Sequence, residues 1–192
     1  FDFFGKKTEQ LVYDNIGNKS YHDEVEWGID ALHVGSAGGL GGLTLYHGED
    51  TWPVQNPAGK GVVKFTKRQL TAGPVRAAIE ITASNVVPAT PELTVKMICI
   101  IYAERQETEV RASVSGADGE LVLAPGLVKL PRESWFESKE AAALGSWGWQ
   151  QEVIGEIGMA VIVPPAAFVG VVDLPEERRI QCRVEGDRLG YW

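Results

Sequence analysis

A chain of 192 residues, 44% of them hydrophobic and 23% charged, is long enough to bury the core of one soluble domain spanning residues 1–192. Its formal net charge of -8 argues against a nucleic-acid-binding protein, because binding to phosphate groups requires a basic surface. The longest apolar run, residues 97–101, is too short for a membrane span.

Short strand patterns recur along the chain, separated by turns rich in glycine, proline and charge. The clearest, residues 75–82, alternates apolar and polar positions with a period of two. Residues 93–102 are predicted to form a central strand buried on both faces, with residues 108–114 as its half-exposed hairpin partner. The other predicted strands are residues 11–16, 43–46, 61–70, 121–130 with a break at Pro125-Gly126, 159–163, 168–172 and 180–184.

One stretch favours a helix, because residues 137–144 contain three consecutive alanines. The recurring strands predict an all-β fold, an antiparallel β-sandwich of two stacked sheets. The chain begins at Phe1 rather than at Met, which either export with cleavage or a missing upstream segment would explain, and it stops at Trp192 directly after a turn. We therefore expect the sandwich to be incomplete at both ends. Cys99 and Cys182 lie in apolar or alternating runs and should pack as small hydrophobes, and their spacing leaves a disulfide open.

Residues 21–35 gather more groups able to transfer protons than any other stretch. Tyr21 and His22 would serve as acid and base if a loop or bulge turned both side chains into one cleft. The alternative is a surface histidine beside a core tyrosine. Asp30 lies between apolar neighbours and is the acid expected to be drawn inward, either to orient His22 or to cap a loop.

The same stretch carries nitrogen and oxygen donors suited to a divalent ion. They are His22, Glu24, Glu26, Asp30 and His33. Their spacing matches no compact metal motif, so we expect no cofactor, with a divalent metal as the alternative. The glycine-rich residues 36–42 that follow do not form a phosphate loop, because neither the lysine nor the helix pattern of that motif is present.

Tryptophans and basic residues complete the candidate site. Trp147 and Trp149 would share one face of an extended strand and stack on a pyranose ring, with Gln150 bonding its hydroxyls. Trp27 is a third substrate-binding candidate, and core packing is the alternative for each indole. The cations expected to neutralise a substrate carboxylate are Arg76 and Lys129, for which a surface salt bridge is the alternative.

An ordered set of sequence blocks covers nearly the whole chain. The blocks are residues 1–7, 21–30, 34–35, 36–42, 73–76, 125–129, 146–148 and 158–161. Together they resemble a bacterial family known only as a domain of unknown function, whose members accompany enzymes that degrade uronate-containing polysaccharides. That family looks related to the galactose-mutarotase type of β-supersandwich. The resemblance implies a carbohydrate substrate on a concave sheet face, and we expect a periplasmic or extracellular location.

The leading hypothesis is an enzyme acting on uronic-acid-containing oligosaccharides or polysaccharides by β-elimination or epimerisation. Both reactions begin by removing the proton next to a carboxylate, which requires charge neutralisation and a base. Arg76 or Lys129 would neutralise the carboxylate, and Tyr21 and His22 would move the protons. The alternatives are a non-catalytic carbohydrate-binding module and a structural protein that assembles through open β-edges.

Overall fold

The computed structural model describes residues 4–8, 22–47, 49–55, 62–117, 119–152, 154–184 and 186–192. Within these ranges the chain forms strands joined by turns and loops, and no helix. The predicted strand at residues 11–16 lies outside the described residues. The strands are β1 (Phe4–Lys6), β2 (Gly28–Asp30), β3 (Leu40–His47), β4 (Asp50–Pro53), β5 (Lys64–Ala72), β6 (Arg76–Ser84), β7 (Thr94–Tyr102), β8 (Thr108–Ser115), β9 (Leu121–Val128), β10 (Ser134–Ser138), β11 (Ala143–Gln151), β12 (Gly155–Ile162), β13 (Phe168–Asp173), β14 (Glu177–Arg183) and β15 (Arg188–Tyr191).

Most strands belong to two five-stranded antiparallel sheets. One, the β9 sheet, has the order β13-β14-β9-β3-β4, and the other, the β7 sheet, has the order β15-β8-β7-β6-β5. A three-stranded β11 sheet has the order β10-β11-β12, and β1 pairs with β2. This architecture confirms the predicted all-β, sandwich-like fold. Among the described residues, no helix is long and apolar enough to cross a membrane.

One hydrophobic cluster joins the three larger sheets. Its buried members include Leu123 from the β9 sheet, Val95 from the β7 sheet and Val161 from the β11 sheet. Full burial of each such side chain contributes about 1.5–3 kcal/mol to folding. The buried Tyr191 hydroxyl donates a hydrogen bond to the Gly41 carbonyl at 3.0 Å, which ties β15 to β3. The two five-stranded sheets are therefore joined by both packing and a buried polar contact.

The residue pattern correctly predicted the three middle strands of the β7 sheet, β6, β7 and β8. It did not predict how far β7 is buried. The expected β7–β8 hairpin and the alternating strand β6 are present, and β7 is the central strand. The expectation that β7 is buried on both faces is wrong, because Lys96 and Ile101 are exposed. An antiparallel sheet needs a covering layer on only one face, so its outer side can remain in contact with water.

The predicted helix at residues 137–144 is wrong. These residues form the end of β10, a turn and the start of β11, with Glu137 opposite Leu144 and Ser138 opposite Ala143. An isolated helix of this length is marginal in water, and most helices depend on tertiary packing for their stability. Here β11 also pairs with β12, and Leu144 is buried in the core. Sheet pairing therefore outweighs the local preference of the alanines.

The expected break in β9 is wrong, whereas the expected packing of the two cysteines is confirmed. Strand β9 runs continuously through Pro125 and Gly126, and the irregularity falls instead on β3, between Leu40 and Gly42. Cys99 and Cys182 are both buried and free, so the structure contains no disulfide between them. Burial raises the pKa of the Cys182 thiol to about 12. Both cysteines therefore pack as small hydrophobic side chains.

Candidate functional site

His22 lies against a buried carboxylate at the end of β2. Its Nδ1 is 3.5 Å from Oδ2 of Asp30, whose side chain is only 1% exposed. The other carboxylate oxygen of Asp30 accepts a hydrogen bond from the backbone N–H of Leu32 at 3.2 Å, which fixes its orientation. The His22 side chain is 35% exposed, so part of the ring reaches solvent. The backbone carbonyl oxygen of Asp30 lies 3.4 Å from the same Nδ1, so two oxygens of Asp30 position this imidazole. A positioned and partly exposed imidazole is suited to proton transfer.

A second imidazole packs beside the first. The ring centroids of His22 and His33 are 4.3 Å apart, with an angle of 30° between the ring planes. Glu24, one of the carboxylates considered as a metal ligand, instead pairs with Lys7. Within the described ranges, no group of three or more histidine, cysteine, aspartate or glutamate side chains is arranged to hold a metal ion.

Strand β1 supports the segment that carries these histidines. Phe4 lies opposite Asp30, and the backbone N–H of Lys7 donates to the carbonyl of Trp27 at 2.7 Å. Gly28 is required by this close approach, because its φ is +136° and an added Cβ would lie 2.0 Å from the Gly5 carbonyl oxygen. Trp27 is half-buried at the turn before β2. Tyr21, the proposed partner of His22, lies outside the described residues.

The loop that follows β2, residues 31–39, connects this region to the end of the β9 sheet. The Ser36 hydroxyl donates to the Glu176 carboxylate, and the backbone N–H of Gly38 donates to Glu177 Oε2 at 3.0 Å. The backbone N–H of Lys129 donates to the carbonyl of Glu176 at 2.9 Å. Lys129 therefore lies at the sheet end that this loop contacts.

The ammonium of Lys129 is part of a group of paired charges, here named the Arg178 cluster. Its members are Lys129, Glu133, Trp135, Ser146, Asp173 and Arg178. Lys129 Nζ is 2.6 Å from Asp173 Oδ1, and Arg178 Nε is 3.3 Å from the same oxygen. Arg178 also pairs with Glu133 through Nη1, and its guanidinium carbon is 4.3 Å from the centroid of the Trp135 ring.

Hydrogen bonds within the Arg178 cluster keep its carboxylates ionised. Glu133 accepts from the Ser146 hydroxyl at 2.6 Å and from the backbone N–H of Leu130 at 3.1 Å. Burial raises the pKa of Glu133, but the hydrogen bonds from Ser146, Arg178 and Leu130 together outweigh it and lower the pKa. The hydrogen bond from Lys129 is the main cause of the lowered pKa of Asp173. The buried Nε of Arg178 makes no hydrogen bond within the described residues, but its charge is paired with both carboxylates. The burial and pairing of Arg178 and Glu133 indicate a structural role for these two residues.

Sequence reasoning missed the Arg178 cluster and a second buried pair beside it. Glu177, Arg178 and Arg179 are three consecutive charged residues, yet all three are buried. Neighbouring side chains of a strand point to opposite faces, so Arg178 joins the cluster while Arg179 pairs with Glu177. The available signal was a run of opposite charges leading directly into an apolar strand, residues 176–184.

Arg76 lies in a different sheet from Lys129. It is exposed at the start of β6, in the β7 sheet, where it is opposite Tyr102. The Arg111 hydrogen bond is the main cause of the lowered pKa of Glu109, and the Arg76 charge acts in the same direction. A surface pocket of about 300 Å³ lies beside these residues, lined by Tyr102, Arg105, Glu107, Glu109 and Trp192. The two cations nominated from the sequence therefore do not share one sheet.

The two neighbouring indoles lie on one face of β11, as extended geometry predicts. Trp147 is opposite Gly158 and Trp149 is opposite Glu156. Trp147 is exposed and its Nε1 donates to Glu156 Oε2 at 2.9 Å, whereas Trp149 is half-buried. Gln150 follows on the same strand, and among the described residues its buried Oε1 has no hydrogen-bond partner.

Comparison with known proteins gives a family for this chain. The family model described as "Domain of unknown function (DUF4861)" matches residues 1–186. The chain belongs to this family. No curated protein and no solved structure matches the chain. In this DUF4861 chain, the contact between His22 and Asp30 lies at the end of β2, whereas the exposed Trp147 lies on β11.

Proposed function

We propose that this protein is an enzyme that acts on uronic-acid-containing oligosaccharides by β-elimination or epimerisation. The observation that carries the proposal is the contact between His22 Nδ1 and the carboxylate of Asp30 at 3.5 Å. The carboxylate is buried and held by a backbone N–H, whereas the imidazole is partly exposed. A general base for proton abstraction requires this combination of fixed orientation and access to substrate.

In this proposal the two nitrogens of His22 have different tasks. Nδ1 faces Asp30, which favours the tautomer with a hydrogen on Nδ1 and leaves Nε2 as the acceptor. Nε2 would take the proton from the carbon next to the uronate carboxylate. In β-elimination, Tyr21 would then protonate the leaving glycosidic oxygen. In epimerisation, Tyr21 would instead deliver a proton to the opposite face of the same carbon.

Lys129 is the better of the two cations considered for neutralising the substrate carboxylate. Its backbone and Ser36 both contact Glu176, and Ser36 is three residues from His33. Three residues span at most ~11 Å, so this loop links the segment that carries His33 to the sheet end where Lys129 lies. The partner of Lys129, Asp173, is half-exposed, so a substrate carboxylate would compete with it from solvent. Arg76 lies on the β7 sheet and is the weaker candidate.

The test is turnover of uronate oligosaccharides by the full chain. Ultraviolet absorbance follows the unsaturated product of elimination, and NMR of the sugar follows epimerisation. We expect His22→Ala to lose roughly 10²–10⁴-fold in rate, the usual contribution of a positioned base. His47→Ala is the matched control, because His47 ends β3 on the side away from Leu40 and the loop of residues 31–39.

Equal activity of the wild-type protein and His22→Ala would overturn the assigned roles. A wild-type protein that binds uronate oligosaccharides but turns none over would instead favour the non-catalytic binding module. Concentration-dependent polymers in light scattering, with neither binding nor turnover, would favour the assembly protein.

A further inference from the structure

We infer that the outer face of the β11 sheet binds extended chains of neutral pyranoses, at a surface separate from the His22 site. The inference depends on the geometry of this face and does not require catalysis by His22. The face consists of Phe136 from β10, Gly145, Trp147 and Trp149 from β11, and Glu156, Gly158 and Ala160 from β12, and is named the aromatic face below.

The register shows why these residues point away from the core. Leu144, Met159 and Val161 are buried in the hydrophobic cluster. Side chains alternate along a strand, so the intervening residues point to the opposite side of the sheet. Gly145 lies opposite Ala160 on that side, and Trp147 lies opposite Gly158. Three of the seven positions on the aromatic face, Gly145, Gly158 and Ala160, are therefore small, which leaves room for the neighbouring rings to lie flat.

Two of the rings lie down on this surface. A Cβ added to Gly145 would be 2.1 Å from Cε1 of Phe136, and one added to Gly158 would be 2.5 Å from Cε3 of Trp147. Such separations are far shorter than van der Waals contact, so each ring occupies the space directly above a glycine. The rings cover the glycines from above, while 55% of Phe136 and 56% of Trp147 remain exposed. Glycine at both positions is what makes the platform flat.

The two rings are adjacent. Phe136 is opposite Gly145, and Trp147 follows Gly145 by two residues on the same strand. The two aromatic residues are therefore diagonal neighbours, about 7–8 Å apart. Trp149 continues the row, but the Arg132 guanidinium carbon lies 4.6 Å from the centroid of its ring. Phe136 and Trp147 thus form the open part of the platform.

A sugar chain fits this surface better than a protein partner does. Two complete aromatic side chains would offer roughly 300–500 Å² of contact area. Little more than half of each is exposed here, so the available area is smaller still. A stable protein interface needs about 800 Å² on each partner. The face of an aromatic ring is negative and attracts the slightly positive C–H groups of a pyranose. Ser134 and Ser138 lie on the same side of β10 as Phe136, where their hydroxyls can bond those of a sugar.

The charges beside the platform favour a neutral ligand. The Glu156 carboxylate accepts a hydrogen bond from Trp147 Nε1 at 2.9 Å, which fixes the indole and places a negative charge at its edge. Arg132, a cation beside this surface, is stacked on Trp149. The carboxylate of a uronate stacked on Trp147 would be repelled by the Glu156 carboxylate. A neutral pyranose carries no charge and would not be repelled. Binding should therefore be insensitive to salt, because it involves no charged pair.

The test measures binding of the full chain to a soluble neutral β-glucan, with polygalacturonate as the charged comparison. We expect Trp147→Ala and Phe136→Ala each to weaken glucan binding about tenfold or more, as expected for loss of one stacked ring. Phe65→Ala is the matched control, because Phe65 is also an exposed phenylalanine on an edge strand but belongs to the β7 sheet. Circular dichroism checks that each variant remains folded.

The inference is supported if Phe65→Ala binds glucan as the wild-type protein does, in low and high salt, while both platform variants lose affinity. It is overturned if the wild-type protein binds no glucan, if all variants bind equally, or if only polygalacturonate binds and added salt releases it. His22→Ala should bind glucan normally, so failure of the proposed catalytic function and failure of this inference give different results.

Discussion

The two faces of the β11 sheet place aromatic rings in opposite surroundings. On the inner side, Trp135 lies against the guanidinium of Arg178, which is itself paired with Glu133 and Asp173. On the outer side, Phe136 and Trp147 rest on glycines, and more than half of each side chain remains exposed. One side of the β11 sheet therefore faces a network of paired charges beside the partly exposed Trp135, and the other side carries an open apolar platform.

This difference separates residues that stabilise the fold from residues available to a ligand. Burying a guanidinium and a carboxylate removes both from water, so each must be paired to remain charged. The Arg178 cluster meets that requirement within the protein. The rings of the aromatic face gain little from the fold, because much of their apolar surface still contacts water. A bound ligand would complete that burial.

The largest loss of stability is expected from disrupting the Arg178 cluster. Arg178→Met should lower the free energy of unfolding by about 3–5 kcal/mol, because it leaves the buried carboxylate of Glu133 unpaired. Urea denaturation measures the change. Arg183→Met is the matched control on the same strand, because Arg183 is 66% exposed and its pair with Glu120 is loose at 3.8 Å. The control should change stability by no more than about 0.5 kcal/mol. Equal effects of the two substitutions would contradict a structural role for the cluster.

A smaller loss of stability is expected at low pH. Burial raises the pKa of Glu133, but the hydrogen bonds from Ser146 and Arg178 lower it by more than burial raises it. The pKa of this carboxyl group in the folded protein is therefore below its ordinary value. The unfolded chain then takes up a proton at higher pH than the folded protein does. The stabilisation is complete above the ordinary value of about 4.3 and is lost as pH falls through the folded pKa.

Unfolding free energies measured between about pH 7 and pH 3 test this dependence. Glu133→Gln should be less stable than the wild-type protein at neutral pH, with a shallower loss of stability in acid. Asp173 acts in the same direction, because Lys129 lowers its pKa, and it supplies part of the loss that remains. Parallel acid profiles for the two proteins would show that Glu133 does not contribute.

The smallest change in stability is expected from a substitution on the aromatic face. Gly145→Ala places a methyl group where the Phe136 ring lies, but that ring is exposed and can swing into solvent. Stability should therefore change by less than about 1 kcal/mol, while binding of the neutral glucan should weaken because the platform is no longer flat. Gly170→Ala is the control, because nothing lies within 4 Å of its added Cβ. Unchanged glucan binding in Gly145→Ala would show that flatness is not needed.

Part of the candidate site was accessible from residue patterns. Apolar neighbours predicted that Asp30 turns inward, and period-two spacing predicted that Trp147 and Trp149 share a face. Phe136 was missed, because its platform depends on Gly145 in a different strand. The pairing of Arg178 with Glu133 was missed for the same reason, since 45 residues separate them in the chain. The proposed roles of His22, Lys129 and Arg76 remain predictions.

The sequence by itself determined that this protein is built largely of strands, and it showed the alternation of apolar and polar positions along β6 and β8, because alternation is a local property of an extended chain. It misjudged residues 137–144, where the local preference for a helix was overruled by pairing across β10, β11 and β12. Only the tertiary structure decided which strands became neighbours, and therefore which charges were paired and which rings stayed open. Those contacts join residues far apart in the chain, and no local pattern specifies their register.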